Sequence, residues 1–117
     1  MIRDGSIVLF TFPQTDLTCG KLRPALLLRR LPASEGDWLA CMISTQLRHE
    51  IAGFDDLIRD SDADYASSGL KATSLVRVGR LAVISANILH GGIGIVTQER
   101  LNRIRSRLAN WLLAKTT

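Results

Sequence analysis

The chain reads as one mainly β (α+β) domain, a small barrel-like sheet with a single C-terminal helix packed on it. Short runs of β-branched, aromatic and leucine residues recur between Gly, Pro and Ser punctuation, the mark of a many-stranded small sheet. Helical spacing is clear only towards the C-terminus. A length of 117 residues, 46% of them hydrophobic, suits one modest core. No linker, repeat or low-complexity stretch divides residues 1–117, so a single domain is expected.

The elements follow in order. Residues 7–12 form a first strand of β-branched and aromatic residues. A polar loop then leads into Arg23-Pro24 and a second strand over 22–31. Pro24 cannot donate to a ladder, so it belongs among a strand's first residues or on an edge. Four apolar residues follow it without alternation, as in a strand buried on both faces. Residues 31–37 are a turn, and 38–45 a third strand. A short fourth strand over 54–59 precedes a polar loop or helical turn at 60–68. Two further strands, 73–78 and 80–85, are separated at Gly79, where a bulge or bend is expected. Gly91 to Val96 suggests a turn into a short strand. Thr97 is a helix N-cap, with Glu99 well placed in the first turn. Leu101, Ile104, Leu108, Trp111 and Leu112 share the helix's apolar face, and Arg100, Arg103 and Arg107 the opposite one.

The formal net charge of +4 hides an asymmetry. Residues 1–64 carry 7 basic and 10 acidic side chains, whereas residues 65–117 carry 8 basic and 1 acidic. The acidic half ends in Asp55, Asp56, Asp60, Asp62 and Asp64. A basic half favours polyanionic partners through counterion release; the plainer alternative is a solvated arginine face on the terminal helix. Cys19 and Cys41 form no disulfide framework and have no metal-ligand spacing with His49 or His90. Cys41 suits a small buried apolar position. No apolar run approaches the roughly 20 residues of a membrane span. Without a secretory h-region after Met1, the expected location is the cytoplasm.

The segment from Phe12 to Leu28 is the most informative. Arginine suits phosphate recognition, because its planar fork donates in pairs and keeps its charge at neutral pH. At a strand mouth, Arg23 would be held by a rigid element. On the residues alone, a solvated arginine is the equal alternative.

Three blocks then resemble the PemK/MazF family of toxin endoribonucleases. Gly5-Ser6-Ile7-Val8-Leu9-Phe10, the loop, and Lys21-Leu22-Arg23-Pro24-Ala25-Leu26 follow the family's first two strands. Ile43-Ser44-Thr45-Gln46 follows its I-[ST]-x-Q signature, and Ser74-Leu75-Val76-Arg77-Val78-Gly79-Arg80-Leu81 partly follows S-V-V-R-V-D-K-L. The blocks stand in family order along nearly the whole chain.

The resemblance implies an SH3-like barrel that forms a homodimer and takes single-stranded RNA in a groove across the dimer. It also implies metal-independent, cofactor-free cleavage, in which the 2′-OH attacks the adjacent phosphorus and leaves 2′,3′-cyclic phosphate and 5′-OH ends. The resemblance further implies arrest of the cell's growth. The cognate antitoxin would be a small, acidic, partly disordered protein that folds over the groove. By the same resemblance Arg23 stabilises charge on the phosphorane, and the Ser44 hydroxyl contacts the phosphate or orients the 2′-OH. Asp16, Lys21, Thr45, Gln46 and Arg77 contact RNA, with Asp16 a substitute base. His49, of the residue type that titrates near neutrality, is a candidate acid or base; His90 reads as structural or exposed. Two positions depart from the pattern: Ser6 stands where the family has Asp, and Gly79 replaces a second Asp. Gly79 raises the alternative of a weakened member that binds RNA or antitoxin without efficient cleavage. A gyrase poison like the related CcdB toxins is a third reading, against which the Arg-Pro and Ser-Thr-Gln blocks argue.

Overall fold

The computed structural model describes residues 2–11, 22–33 and 35–115. Six strands form one antiparallel sheet: β1 Ser6–Thr11, β2 Leu22–Arg30, β3 Trp38–Ser44, β4 Asp56–Ile58, β5 Ser74–Ile84 and β6 Leu89–Ile95. Their order is β4-β5-β3-β2-β1-β6. The sheet curls as the sequence suggests but does not close, because β4 and β6 do not pair. Among the described residues two α-helices complete the fold, α1 Tyr65–Ser68 and α2 Gln98–Leu113.

Alternation along the inner strands builds a core on each side of the sheet. Ile7, Leu26, Leu28, Cys41 and Ile43 face Leu101, Ile104 and Leu108 of α2. Val8, Phe10, Ala25, Leu27 and Ala40 form the second cluster with Trp38 and Ile84. The unbroken apolar run after Pro24 thus reflects burial on both faces. Cys41 is fully buried, and desolvation, aided by Asp55, pushes its thiol up to about 12. It is an inert core residue, as expected. A register shift sets Leu28 off the β2–β3 ladder. Its carbonyl accepts from Arg105 Nε at 2.9 Å, and Arg105 also pairs with Asp4.

α1 plugs the open seam. Ser67 Oγ donates to the Ile95 carbonyl at 3.1 Å. Two glycines permit the close approach: a Cβ on Gly69 would fall 2.0 Å from the Ile93 oxygen, and one on Gly94 would fall 2.2 Å from the Ser67 oxygen. Gly69 also ends α1 in the left-handed conformation, at φ +74°.

Several expectations need correction. Residues 73–85 form one bent strand, not two. Opposite β3, Cys41 faces Leu81 while Met42 faces Arg77, so the ladder skips the residues around Gly79. The ring of Phe54 covers Gly79, with Cε2 placed 3.2 Å from where a Cβ would be. The expected fourth strand shrinks to three residues, and Phe54 lies outside it. The turn expected at Gly91 comes earlier, as a 3-10 turn at Ala86–Ile88, and the glycines sit inside β6 at its irregular pairings with β1. The apolar face of α2 is buried only as far as Leu108. Trp111 is 58% exposed and Leu112 63%, because the helix runs past the core, where the Trp111 ring meets the Phe54 ring at 5.5 Å.

The largest correction concerns charge. Arg100, Arg103 and Arg107 face the aspartate cluster rather than solvent. Arg100 is 5% exposed, and all five of its N–H donors are used. Nε and Nη2 grip Asp64 at 2.8 and 2.9 Å; Nη1 donates to Asp56 and the Leu57 carbonyl, and Nη2 also to Asp62. Arg103 and Arg107 reach the other lone pairs of Asp56. Asp64 also accepts from the N–H of Thr97, which in turn caps α2 through Arg100 N. Burial works against the Arg100 charge, but hydrogen bonds to Asp64, Asp56 and Asp62 outweigh it and hold the group above its ordinary value. The Arg100 hydrogen bond likewise lowers Asp64 to about 2. Partners 36 to 44 residues apart in sequence leave no trace in a helical wheel.

Two outcomes follow for stability. Arg100→Met strands buried Asp64 without its main partner and should cost about 3–5 kcal/mol in urea unfolding. Asp64 is depressed when folded, so its contribution is full above pH about 4 and is lost as pH falls towards 2. Across that window the wild type should lose about 2 kcal/mol more than Asp64→Asn, measured by urea titrations at each pH.

Candidate functional site

At one end of the sheet β2 and β3 part company. Their ladder stops at Ala25↔Met42. Pro24, next along β2, has no N–H to continue it, although it still lies opposite Leu9 of β1. On the far side of β3, pairing ends at Ser44↔Leu75. The strand ends enclose a cavity of about 190 Å³ lined by Leu22, Arg23, Pro24, Ile43, Ser44, Thr45, Gln46 and Ser74. That is smaller than the roughly 300–1,000 Å³ of sites that swallow a whole small molecule. It suits one charged group and its immediate neighbours.

The cavity brings together Arg23, Ser44, Thr45 and Gln46. Arg23 is exposed on a strand whose next four residues after Pro24 are buried, so an accessible side chain stands on a rigid stretch of backbone. Ser44 is half-buried, and its Oγ accepts from the Gln46 N–H at 3.0 Å. No described residue takes up its own proton, which leaves the hydroxyl a donor. The Gln46 side-chain oxygen accepts from Arg48. Arg48 belongs to a 3-10 turn at Leu47–His49, and its role beside Gln46 was not visible in the motifs.

Other candidates stand apart. Arg77 does not line the cavity. Its Nε lies 3.4 Å from Asp55, and its side chain is 17% exposed. The sequence offered no acid near Arg77, but the fold supplies Asp55. That carboxylate is already committed, accepting from Ile51 N at 2.9 Å and Val78 N at 3.1 Å, so it fastens the segment before β4 to β5. His49 is exposed in the 3-10 turn and does not line the cavity. His90 is exposed, and its Nε2 lies 2.9 Å from Thr11 Oγ1. Asp16 and Lys21, with Phe12, Cys19 and the rest of the polar loop, lie outside the described residues. Among those described, no cluster of His, Cys, Asp or Glu has metal-binding geometry.

Ser74 is the lining residue that sequence reasoning passed over. It appeared only as the first letter of a motif valued for its arginine. Strand-end position opposite the Ser-Thr-Gln block was the one available signal.

Comparisons with known proteins bear on the fold and the family. Many solved structures share the fold. A MazE–MazF crystal structure from Deinococcus radiodurans is 17% identical, covers 96% of both chains and gives a TM-score of 0.72. An endoribonuclease in complex with its cognate antitoxin, from a mycobacterial species, is 18% identical at 0.69, covering 99% of this chain and 100% of that one. The Mycobacterium tuberculosis toxin MazF-mt6 is 19% identical at 0.67, covering 95% and 99%. No curated protein matches significantly. The family profile of PemK-like, MazF-like toxins of type II toxin–antitoxin systems matches residues 3–112. A match along almost the whole chain, on a fold that assembles the Arg-Pro and Ser-Thr-Gln blocks in one cavity, places this protein in the PemK-like, MazF-like family of type II toxins.

Proposed function

We propose that the protein is a metal-independent endoribonuclease that cuts single-stranded RNA and arrests growth as a toxin. The observation that carries this reading is the convergence of Arg23 and Ser44 at one cavity. In the reaction the 2′-oxygen forms a bond to the adjacent phosphorus and the bond to the 5′-oxygen breaks. The 2′-OH gives up its proton and the departing oxygen takes one. Arg23 faces the charge that builds on the phosphorane oxygens, where a preorganised cation is worth several kcal/mol. The Ser44 proton supplies a second donor. Thr45, Gln46 and Lys21 hold the strand, and Asp16 takes the 2′-OH proton. Arg77, tied to Asp55, contacts the backbone beyond the cavity.

The reading includes a homodimer, a cytoplasmic location and an acidic antitoxin that covers the groove. Exposed Leu81, Val83, Trp111, Leu112 and Leu113 supply apolar surface for a second copy. Two observations favour the weakened member instead: no described carboxylate or imidazole lines the cavity, and Phe54 lies where an acid at position 79 would project.

The test is incubation of antitoxin-free protein with long single-stranded RNA in EDTA, followed by mapping of fragment ends. Discrete cuts with 5′-OH ends are expected. Arg23→Ala should slow them at least 100-fold, and Ser44→Ala about 10- to 100-fold, with folding intact by circular dichroism. Cleavage undiminished in Arg23→Ala removes that residue from the reaction; no cleavage by the wild type moves the assignment to the binding member. Asp16→Asn should lower the rate without weakening binding of a 2′-deoxy analogue.

A further inference from the structure

The cavity holds two serine hydroxyls of opposite polarity. Ser44 Oγ is engaged as an acceptor by the Gln46 N–H, so its proton is available. Ser74 is engaged the other way. Its Oγ donates to the Ala72 carbonyl at 2.8 Å, so lone pairs are what it has left to offer a further partner. It is held there firmly: Ser74 is 2% exposed and is the first residue of β5, registered against Ile58 of β4.

An acceptor in this position is of no use to a phosphate. Phosphate oxygens at neutral pH have no proton to give, and a lone pair aimed at them is repulsive. While Ser74 keeps its bond to the Ala72 carbonyl, a group that hydrogen-bonds its Oγ has to donate. Beside a phosphate in a nucleic acid, the donor present at every nucleotide is the ribose 2′-hydroxyl, which is also what distinguishes RNA from DNA. The small cavity has room for a phosphate and a sugar edge.

We infer that Ser74 is a specificity residue that accepts a hydrogen bond from the 2′-hydroxyl of a ribose flanking the scissile phosphate, distinct from the 2′-hydroxyl that attacks. Arg23 and Ser44 then read the phosphate and Ser74 reads the sugar. This inference rests on the ribonuclease reading above.

The experiment uses a synthetic RNA spanning a mapped cleavage site, and versions carrying one 2′-deoxy nucleotide at each flanking position. The nucleotide that supplies the attacking hydroxyl is left intact. For the wild type, one position should lower kcat/KM about tenfold on deoxy substitution. Ser74→Ala should cleave the all-RNA substrate about tenfold more slowly and be indifferent to deoxy substitution at that position. Ser74→Thr, which keeps the hydroxyl, should restore the sensitivity. A Ser74→Ala variant that is folded and keeps the full wild-type deoxy profile overturns the assignment, as does a wild type with no sensitive flanking position. A wild type that cuts no RNA at all fails at the earlier step, and the ribonuclease reading and this inference fall together.

Discussion

The Arg100 guanidinium is the point on which the architecture turns. Its five donors join β4 through Asp56 and the Leu57 carbonyl, the segment before α1 through Asp62 and Asp64, and the start of α2 through its own backbone. These are the pieces on either side of the seam that the strands leave open. Hydrophobic burial would hold α2 against the sheet through Leu101, Ile104 and Leu108, but it is non-directional and sets no particular rotation or height. The forked hydrogen bonds do both. Desolvating such a group is expensive, and the cost is offset only because every donor finds an acceptor. Among the described residues, no buried side-chain polar atom lacks a partner.

Much of this was legible in the chain. Strands announce themselves by β-branched and apolar runs, and β1, β2 and β3 begin and end within about a residue of where those runs suggest. The Thr97 cap was readable because capping is local. The failures share a cause. Gly79 looked like a break between two strands, whereas the chain continues and only its partner's register slips. The glycines of β6 looked like a turn, but Gly94 is small because α1 lies against it. Arg100 looked like a solvent-facing residue because its acids lie far back in sequence. In each case, what decided the residue's role was a neighbour brought close by the fold.

The site was legible in part for the same reason. Arg23 and Pro24 are adjacent, and Ser44 to Gln46 are consecutive, so each block could be recognised alone. That they meet follows from register: β2 and β3 are neighbours, and the missing N–H of Pro24 lets them diverge just where both blocks arrive. Ser74 contributes through a third strand and shows no pattern of its own. Asp55 was counted with the acidic cluster, yet its carboxylate is spent on β5, bracing Arg77 and the Val78 N–H.

The pairing of the helix arginines has a consequence for how a polyanion would be held. Arg100, Arg103, Arg105 and Arg107 account for half of the 8 basic side chains in residues 65–117, and all four are engaged by aspartates. They have few counterions left to release. Each phosphate neutralised contributes a slope of only about −0.7 to the dependence of log affinity on log salt for a single strand. A strand gripped mainly by Arg23 and its immediate neighbours would therefore be held with a shallow salt dependence. Discrimination would rest on the shape of a small cavity, and the overall positive charge would be a poor guide to affinity.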